Sequence, residues 1–373
     1  MIRKIIFWTH LVAGILTGIV ILTMSVTAVI LTYEHQLITY AEKAFYSEEE
    51  GNRLTADDLI LRAENEVPGG ASLTFINDRR APVYIQRGMS APVLMNPYTG
   101  EIIGKGAVKT RAFFSWNRAF HRWFALEGES RSIGRSIIGV SNLIFIFIII
   151  SGLYLWLPSV WKWITIRPKI LFLKSNPTSK ARDYNWHHVL GFWFLIPLFI
   201  MASTALVFSY PWASDLVYRV YGENPPSRGS ENNQEILAEQ LIPENILTIE
   251  DLLQKSFDYN EEWNRITLSP PDEASEIVNI RVDTGSGREP TKRVDLEFNR
   301  YTGDIEDVVT FSDATLGRRS RTYIRYLHTG ESLGFIGQTI AGIGSLAACV
   351  LFYTGFALAY RRLIVPLFRR KKN

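Results

Sequence analysis

A single cysteine, Cys349, stands in the whole chain, and it lies inside an apolar run. That excludes an internal disulfide, a Cys-x-x-Cys-His attachment for covalent haem, and any iron–sulfur or zinc set built on cysteines. Charge is scarce as well. Only 21% of residues are charged against 47% hydrophobic, and the net charge of +3 says little because the charges are unevenly placed. Four long runs carry no Asp, Glu, Lys or Arg: residues 5–33, 136–161, 186–212 and 332–360. Nothing resembles a nucleotide-binding loop, since Gly342-x-Gly344 sits within one of these runs, and nothing suggests a nucleic-acid partner.

Each run is long enough for a helix to cross a hydrocarbon core of about 30 Å at about 1.5 Å per residue. The first is too long for a signal peptide and ends Val-Ile-Leu-Thr-Tyr-Glu-His without a small-x-small cleavage site. Arg3 and Lys4 precede it, residues 162–182 are basic with no acid before Asp183, and the chain closes on Arg361, Arg362, Arg369, Arg370, Lys371 and Lys372. By the positive-inside rule these segments face the cytoplasm. The expected fold class is membrane α-helical, with four transmembrane helices in a tandem duplication and two periplasmic α+β modules. The expected order is helix 1 (1–33), module 1 (34–111), an interfacial helix and turn (112–133), helix 2 (134–161), a cytoplasmic basic loop (162–185), helix 3 (186–212), module 2 (213–331), helix 4 (332–360) and a basic tail (361–373). Each module reads as a capped helix, at Thr55 or Thr248, followed by short strands. A flexible link is expected from Asn224 to Asn233.

The duplication is read from echoes. Shifting by 177 positions lays His10 on His187, Gly14 on Gly191, Met24 on Met201, Thr27-Ala28 on Thr204-Ala205 and Tyr33 on Tyr210. Asn96-Pro-Tyr-Thr-Gly-Glu101 returns as Asn299-Arg-Tyr-Thr-Gly-Asp304. Arg118-Ala-Phe-His121 returns as Arg325-Tyr-Leu-His328, and Ser151-Gly152 as Thr354-Gly355. The loop after His121 is about five residues longer than that after His328, so the repeats differ in detail. Even numbers of spans in each half make the repeats parallel.

Four of the six histidines thus form two symmetric pairs, His10 with His187 near the cytoplasmic side and His121 with His328 near the periplasmic side. A lone interfacial histidine is more often a polar end-cap than a ligand, but ionisable groups at membrane depth are functional candidates. Two facing imidazoles suit a six-coordinate, non-covalent b-type haem, giving two haems in all. Glycine one turn after His10 and His187 lets a flat group or a second helix come close. Arg118, Arg122 and Arg325 are candidate partners for haem propionates. His188 and His35 remain alternative ligands, and Met24 and Met201 read as packing before ligation.

The chain resembles the PepSY-associated transmembrane family of bacterial inner-membrane proteins. The resemblance rests on Arg118-Ala-Phe-His121-Arg-Trp-Phe, Ser151-Gly-Leu-Tyr-Leu-Trp156, Trp186-His187-His188-Val-Leu-Gly191-Phe-Trp193, Leu327-His328-Thr-Gly330 and the two Tyr-Thr-Gly-acid hairpins. It implies a multi-pass protein with both termini cytoplasmic. It also implies an oxidoreductase that uses two b haems to reduce a ferric siderophore in the periplasm, and the expected position of that siderophore or other Fe(III) chelate is between the two periplasmic modules. The electron donor would be a quinol or another protein. The alternative is a non-enzymatic, membrane-anchored binding or inhibitory protein whose modules contact an envelope partner. A transporter ranks below both, because it would need broken helices near mid-span, and only Pro197 comes near that.

Overall fold

The computed structural model describes residues 1–48, 51–88, 90–173, 175, 177–226, 246–271 and 275–370. The expected link lies outside the described residues from 227 on, as do Lys174 and the last three residues of the basic tail. The helices are α1 (Ile2–Leu31), α2 (Glu34–Glu42), α3 (Ala56–Glu66), α4 (Val108–Trp123), α5 (Ser130–Trp156), α6 (Trp163–Ile170), α7 (Ser179–Trp193), α8 (Leu195–Ser209), α9 (Pro211–Arg219), α10 (Ile249–Tyr259), α11 (Leu316–Thr329), α12 (Gly334–Leu363) and α13 (Val365–Arg370). The strands are β1 (Ser72–Ile76), β2 (Val83–Gln86), β3 (Val93–Met95), β4 (Ile102–Gly104), β5 (Arg265–Ser269), β6 (Ile277–Asp283), β7 (Arg293–Asn299) and β8 (Ile305–Thr310). They fall into two units. One comprises 1–34, 114–222 and 323–373, and the other 35–113 and 223–322.

The first unit is a helical bundle in which α1 packs on α5 and α12, α12 also packs on α7, and α5 packs on α8. Its polarity is inverted relative to a water-soluble core. Thr17, Ser25, Thr27, Asn142, Ser151, Thr204, Ser345 and Thr354 are buried, while Val12, Ile15, Leu16, Ile19 and Val140 are exposed. Hydroxyls can be buried in such helices because each donates to a carbonyl one turn back, as Thr17 does to Ala13 (2.9 Å) and Ser25 to Ile21 (2.8 Å). Asn142 Nδ2 donates across the bundle to the Ala202 carbonyl at 2.9 Å, a polar contact of the kind that joins helices in lipid.

Three helical segments are long and apolar enough to cross a membrane: Ile2–Phe45, Ser130–Trp156 and Glu331–Phe368. The expected third span is not one straight helix. It breaks at Phe194 into α7 and α8, which are bent by 64°. Pro197 explains the break, because it has no N–H for the carbonyl of Trp193 and its ring clashes there. Phe194 accordingly leaves helical geometry, with φ −99° and ψ 8°. The expected cytoplasmic loop at 162–185 is largely helical. It contains α6 and the first turns of α7, which Thr178 caps by accepting from the Ala181 N–H (3.1 Å). The second span begins earlier than expected, at Ser130.

The second unit corrects the expectation of two separate α+β modules. Their strands form one eight-stranded antiparallel sheet in the order β4-β3-β2-β1-β5-β6-β7-β8. The seam is the β1–β5 ladder, which pairs Leu73 with Leu268 and Phe75 with Ile266, and Thr74 Oγ1 meets Thr267 Oγ1 at 3.0 Å. β1 and β5 read as ordinary half-buried strands, and pairing them removes two exposed edges. The seam is therefore a closed ladder. Ala56, Leu59 and Ala63 of α3, with Ile249, Leu252 and Leu253 of α10, cover the sheet in one core.

Both predicted caps are present: Thr55 and Thr248 accept from the N–H of Asp58 and Asp251. The two helices also cap one another. Asp57 accepts from the N–H groups of Ile249 and Glu250 (both 3.0 Å), and Glu250 accepts from that of Ala56 (2.7 Å). Each carboxylate thus satisfies N–H groups that a helix start leaves without partners. In the same unit the Glu42 carboxylate takes Arg111 Nε at 2.6 Å, and burial followed by that carboxylate's charge pushes the Tyr84 phenol above its usual range.

Candidate functional site

His10 on α1 and His187 on α7 each reach a hydroxyl on a neighbouring helix. His10 Nδ1 lies 2.9 Å from Ser151 Oγ on α5, and His187 Nδ1 lies 3.0 Å from Thr354 Oγ1 on α12. His121 on α4 and His328 on α11 do the same, at 2.7 Å from Thr27 Oγ1 on α1 and 3.0 Å from Thr204 Oγ1 on α8. The pattern is identical at all four positions, and always through Nδ1.

The network assigns the tautomer. A hydroxyl has one proton. Ser151 and Thr354 direct theirs to the carbonyls of Phe147 (2.7 Å) and Val350 (2.8 Å), and Thr27 and Thr204 to those of Thr23 (2.8 Å) and Ile200 (2.7 Å). Each hydroxyl oxygen is then left to accept from the imidazole. A second acceptor stands beside each ring: the carbonyls of Ile148, Leu351, Met24 and Met201, the last at 3.0 Å from His328 Nδ1. A carbonyl cannot donate. His328 Nδ1, which meets a carbonyl at 3.0 Å, therefore carries the proton and leaves Nε2 with a bare lone pair, and the same tautomer fits the contacts of the other three rings. This is the arrangement by which proteins orient an imidazole that ligates through Nε2.

The rings also pair. His10 stands within electrostatic reach of His187, and His328 within that of His121. His10 and Thr27, which holds His121, stand 17 residues apart on α1. At about 1.5 Å per residue that separates the two sites by roughly 25 Å along the helix. Glycines make room at the first pair. A Cβ on Gly152 would stand 3.3 Å from His10 Cε1, and one on Gly355 3.2 Å from His187 Cε1. A Cβ on Gly14 would meet nothing within 4 Å, and one on Gly191 only Leu351, at 3.8 Å. One turn beyond each histidine the helix surface is therefore open, as a flat macrocycle needs. The donor set and this free space fit a haem at the His10/His187 pair. At the His121/His328 pair the fit rests on the donor set alone.

A family model described as "PepSY-associated TM region" matches residues 7–362. The chain belongs to the PepSY-associated TM family. It is thus a membrane protein, consistent with its long apolar helices. No curated protein matches it.

The remaining candidates of this PepSY-associated chain sort clearly. His188 Nδ1 donates to the Tyr184 carbonyl on its own helix (2.9 Å), so it lacks the cross-helix hydroxyl that the four paired histidines share. His35 belongs to the sheet-bearing unit, beside Arg288, Arg265 and the Ser286 backbone, and is not grouped with the others. Arg118 is ion-paired with Glu34, so its guanidinium is shared with a carboxylate. Arg122 lies over the Trp123 ring and Arg325 over that of Tyr326, at 5.1 and 5.9 Å from the centroids. Met24 and Met201 contribute backbone carbonyls beside the imidazoles. Ser151, Thr354, Thr27 and Thr204 had no role assigned from sequence. The signal that could have found them was present, because Thr27 aligns with Thr204 and Ser151 with Thr354 in the sequence echoes, each inside an otherwise apolar stretch.

Proposed function

We propose that the chain is a dihaem b-type electron-transfer protein of the bacterial inner membrane that reduces an Fe(III) chelate, such as a ferric siderophore, and so releases Fe(II). The observation that carries this reading is that four imidazoles each bring Nδ1 within hydrogen-bond distance of a Ser or Thr hydroxyl on a neighbouring helix, an arrangement that suits ligation through Nε2. His10 and His187 would hold one haem and His121 and His328 the other. Arg325, one turn before His328 on α11, can take a propionate. In this reading the chain is a tandem duplication with four spans, α7 and α8 together forming the third. Both termini are cytoplasmic and the sheet-bearing unit is periplasmic.

A haem at each site supplies one-electron transfer, so that an electron donated near one face of the membrane can reach a ferric chelate near the other. The protein's own residues do the rest. Were a haem bound, the two imidazoles of a site would hold it and exclude oxygen as a ligand. The hydroxyl and carbonyl acceptors hold each ring in one tautomer and raise its basicity. The bundle keeps both sites in a low-dielectric environment. Siderophore oxygens favour Fe(III) far more than Fe(II), so a one-electron gain loosens the chelate. If the donor is a quinol, each quinol yields two electrons and two protons and reduces two chelates.

The test is direct. Dithionite-reduced protein, freed of excess reductant, is mixed with an Fe(III) chelate in a stopped-flow spectrometer with ferrozine present. The reading requires haem reoxidation together with a matching yield of Fe(II)–ferrozine. Reduced protein that stays reduced while no Fe(II) forms would remove the chelate-reductase assignment.

A further inference from the structure

Three guanidinium groups surround a single indole at the start of α5. Arg131 Cζ lies 4.0 Å from the centroid of the Trp123 ring, Arg122 Cζ 5.1 Å and Arg135 Cζ 5.4 Å. Arg118 and Arg325 stand within electrostatic reach of Arg122. Among the described residues, Arg122, Arg131, Arg135 and Arg325 form no ion pair, although Glu127 and Glu129 lie in the adjoining turn. Glu129 is the N-cap residue of α5 but its side chain makes no capping hydrogen bond. Like charges held this close repel. Stacking on one ring offsets only part of that.

The platform is held firmly. Trp123 is followed by Phe124 and Ala125 at φ 56° and 52°, the two non-glycine residues with positive φ among those described. The Trp123 carbonyl packs so closely on Gly134 that a Cβ there would stand 2.5 Å away. The feature also belongs to one half of the chain only. Aligning Gly134 with Gly337 places Arg131 on Gly334 and Arg135 on Gln338, neither of them charged. The two arginines are therefore not a packing requirement that the halves share. Trp123 is two residues from His121.

We propose that Arg122, Arg131 and Arg135 around Trp123 form a docking site for an anionic Fe(III) chelate, one that presents carboxylate or catecholate oxygens. This rests on the reading of the chain as a ferric-chelate reductase. Guanidinium forks match paired carboxylate or catecholate oxygens. In the proposed topology the cluster lies at the outer face, where basic residues are depleted, so a cluster kept there calls for an anion.

The experiment measures equilibrium binding of two redox-inert probes to the full-length holoprotein in phosphatidylcholine nanodiscs. One probe is the trianionic Ga(III) tris(catecholate) and the other a neutral Ga(III) tris(hydroxamate). The wild type is expected to bind the trianion more tightly and to lose affinity as salt rises. Arg131→Gln/Arg135→Gln should weaken trianion binding at least tenfold while leaving the neutral probe unchanged. If the double variant misfolds, as judged by its haem spectrum, the exposed Arg131→Gln alone should give a smaller loss of the same sign. Unchanged trianion affinity in a folded variant overturns the proposal. So does unchanged affinity accompanied by loss of co-purifying anionic phospholipid, which makes the cluster a headgroup site, or by loss of haem, which makes it a propionate anchor. Because gallium(III) is not reduced, trianion binding through these arginines in a protein that fails to reduce Fe(III) would refute the reductase reading and leave the site standing.

Discussion

His10 and His187 stand on α1 and α7, each of which runs into a long apolar stretch, whereas His121 and His328 stand on the amphipathic helices α4 and α11. Both pairs use the same bond, from Nδ1 to a hydroxyl on the next helix. Their surroundings differ. The first pair has glycines against its imidazoles and open helix surface one turn on. The second has Arg122 within electrostatic reach of His121, and no glycine among the described residues is packed against its imidazoles. One orienting device has therefore been set in two electrostatic environments. A cationic neighbourhood favours the reduced, more negative state of a redox group. The second site should have the higher potential, so electrons would run downhill from the first pair to the second.

The largest effect that can break this comparison is loss of a ligand. His10→Ala and His187→Ala should each remove one haem per chain and leave the same second haem, and His121→Ala and His328→Ala should remove the other. Pyridine haemochrome counts and the residual spectra check this. If His10→Ala and His121→Ala erased the same band, the pairing would be wrong.

Next come the hydroxyls. Thr204→Val and Ser151→Ala remove the acceptor but keep the ligand. Losing an outer-shell partner of this type costs about 10–100-fold in affinity. Haem titration of the apoprotein should show that loss at one site per variant. Smaller again is Gly355→Ala, whose Cβ would press on His187 Cε1 at 3.2 Å. It should disturb the first site several-fold and leave the second untouched. In a redox titration, Arg131→Gln should lower the potential of the second site only, which would sharpen the contrast between the two environments.

The smallest effect lies away from both pairs. Asp57→Ala removes the acceptor that α3 offers to the start of α10 and should destabilise the sheet-bearing unit by about 1 kcal/mol. Chemical denaturation would show the loss, with the haem count unchanged.

Much of this was legible from residues alone, for physical reasons. Uncharged runs of helix-spanning length have few alternative fates, and Thr55 and Thr248 stand where a helix start needs an acceptor. His10 and His187 stood out because an imidazole in an apolar stretch is costly and the cost recurs at the same repeat position. The hydroxyls were hidden because Thr27 or Ser151 in an apolar helix satisfies itself on its own backbone, and only the fold shows what else its oxygen accepts. The β1–β5 seam was hidden because strand alternation fixes which face of a strand is buried but not which strand is its neighbour. Pro197 was visible, but the size of the bend it permits depends on packing, which the sequence does not display.

The claim at the centre is that two imidazole pairs each hold one haem. Its most direct test is the haem count and reduced-minus-oxidised spectrum of the purified full-length protein from haem-sufficient cells. Two b-type haems per chain with sharp low-spin α bands are expected. A colourless protein, or a single haem per chain, would contradict it.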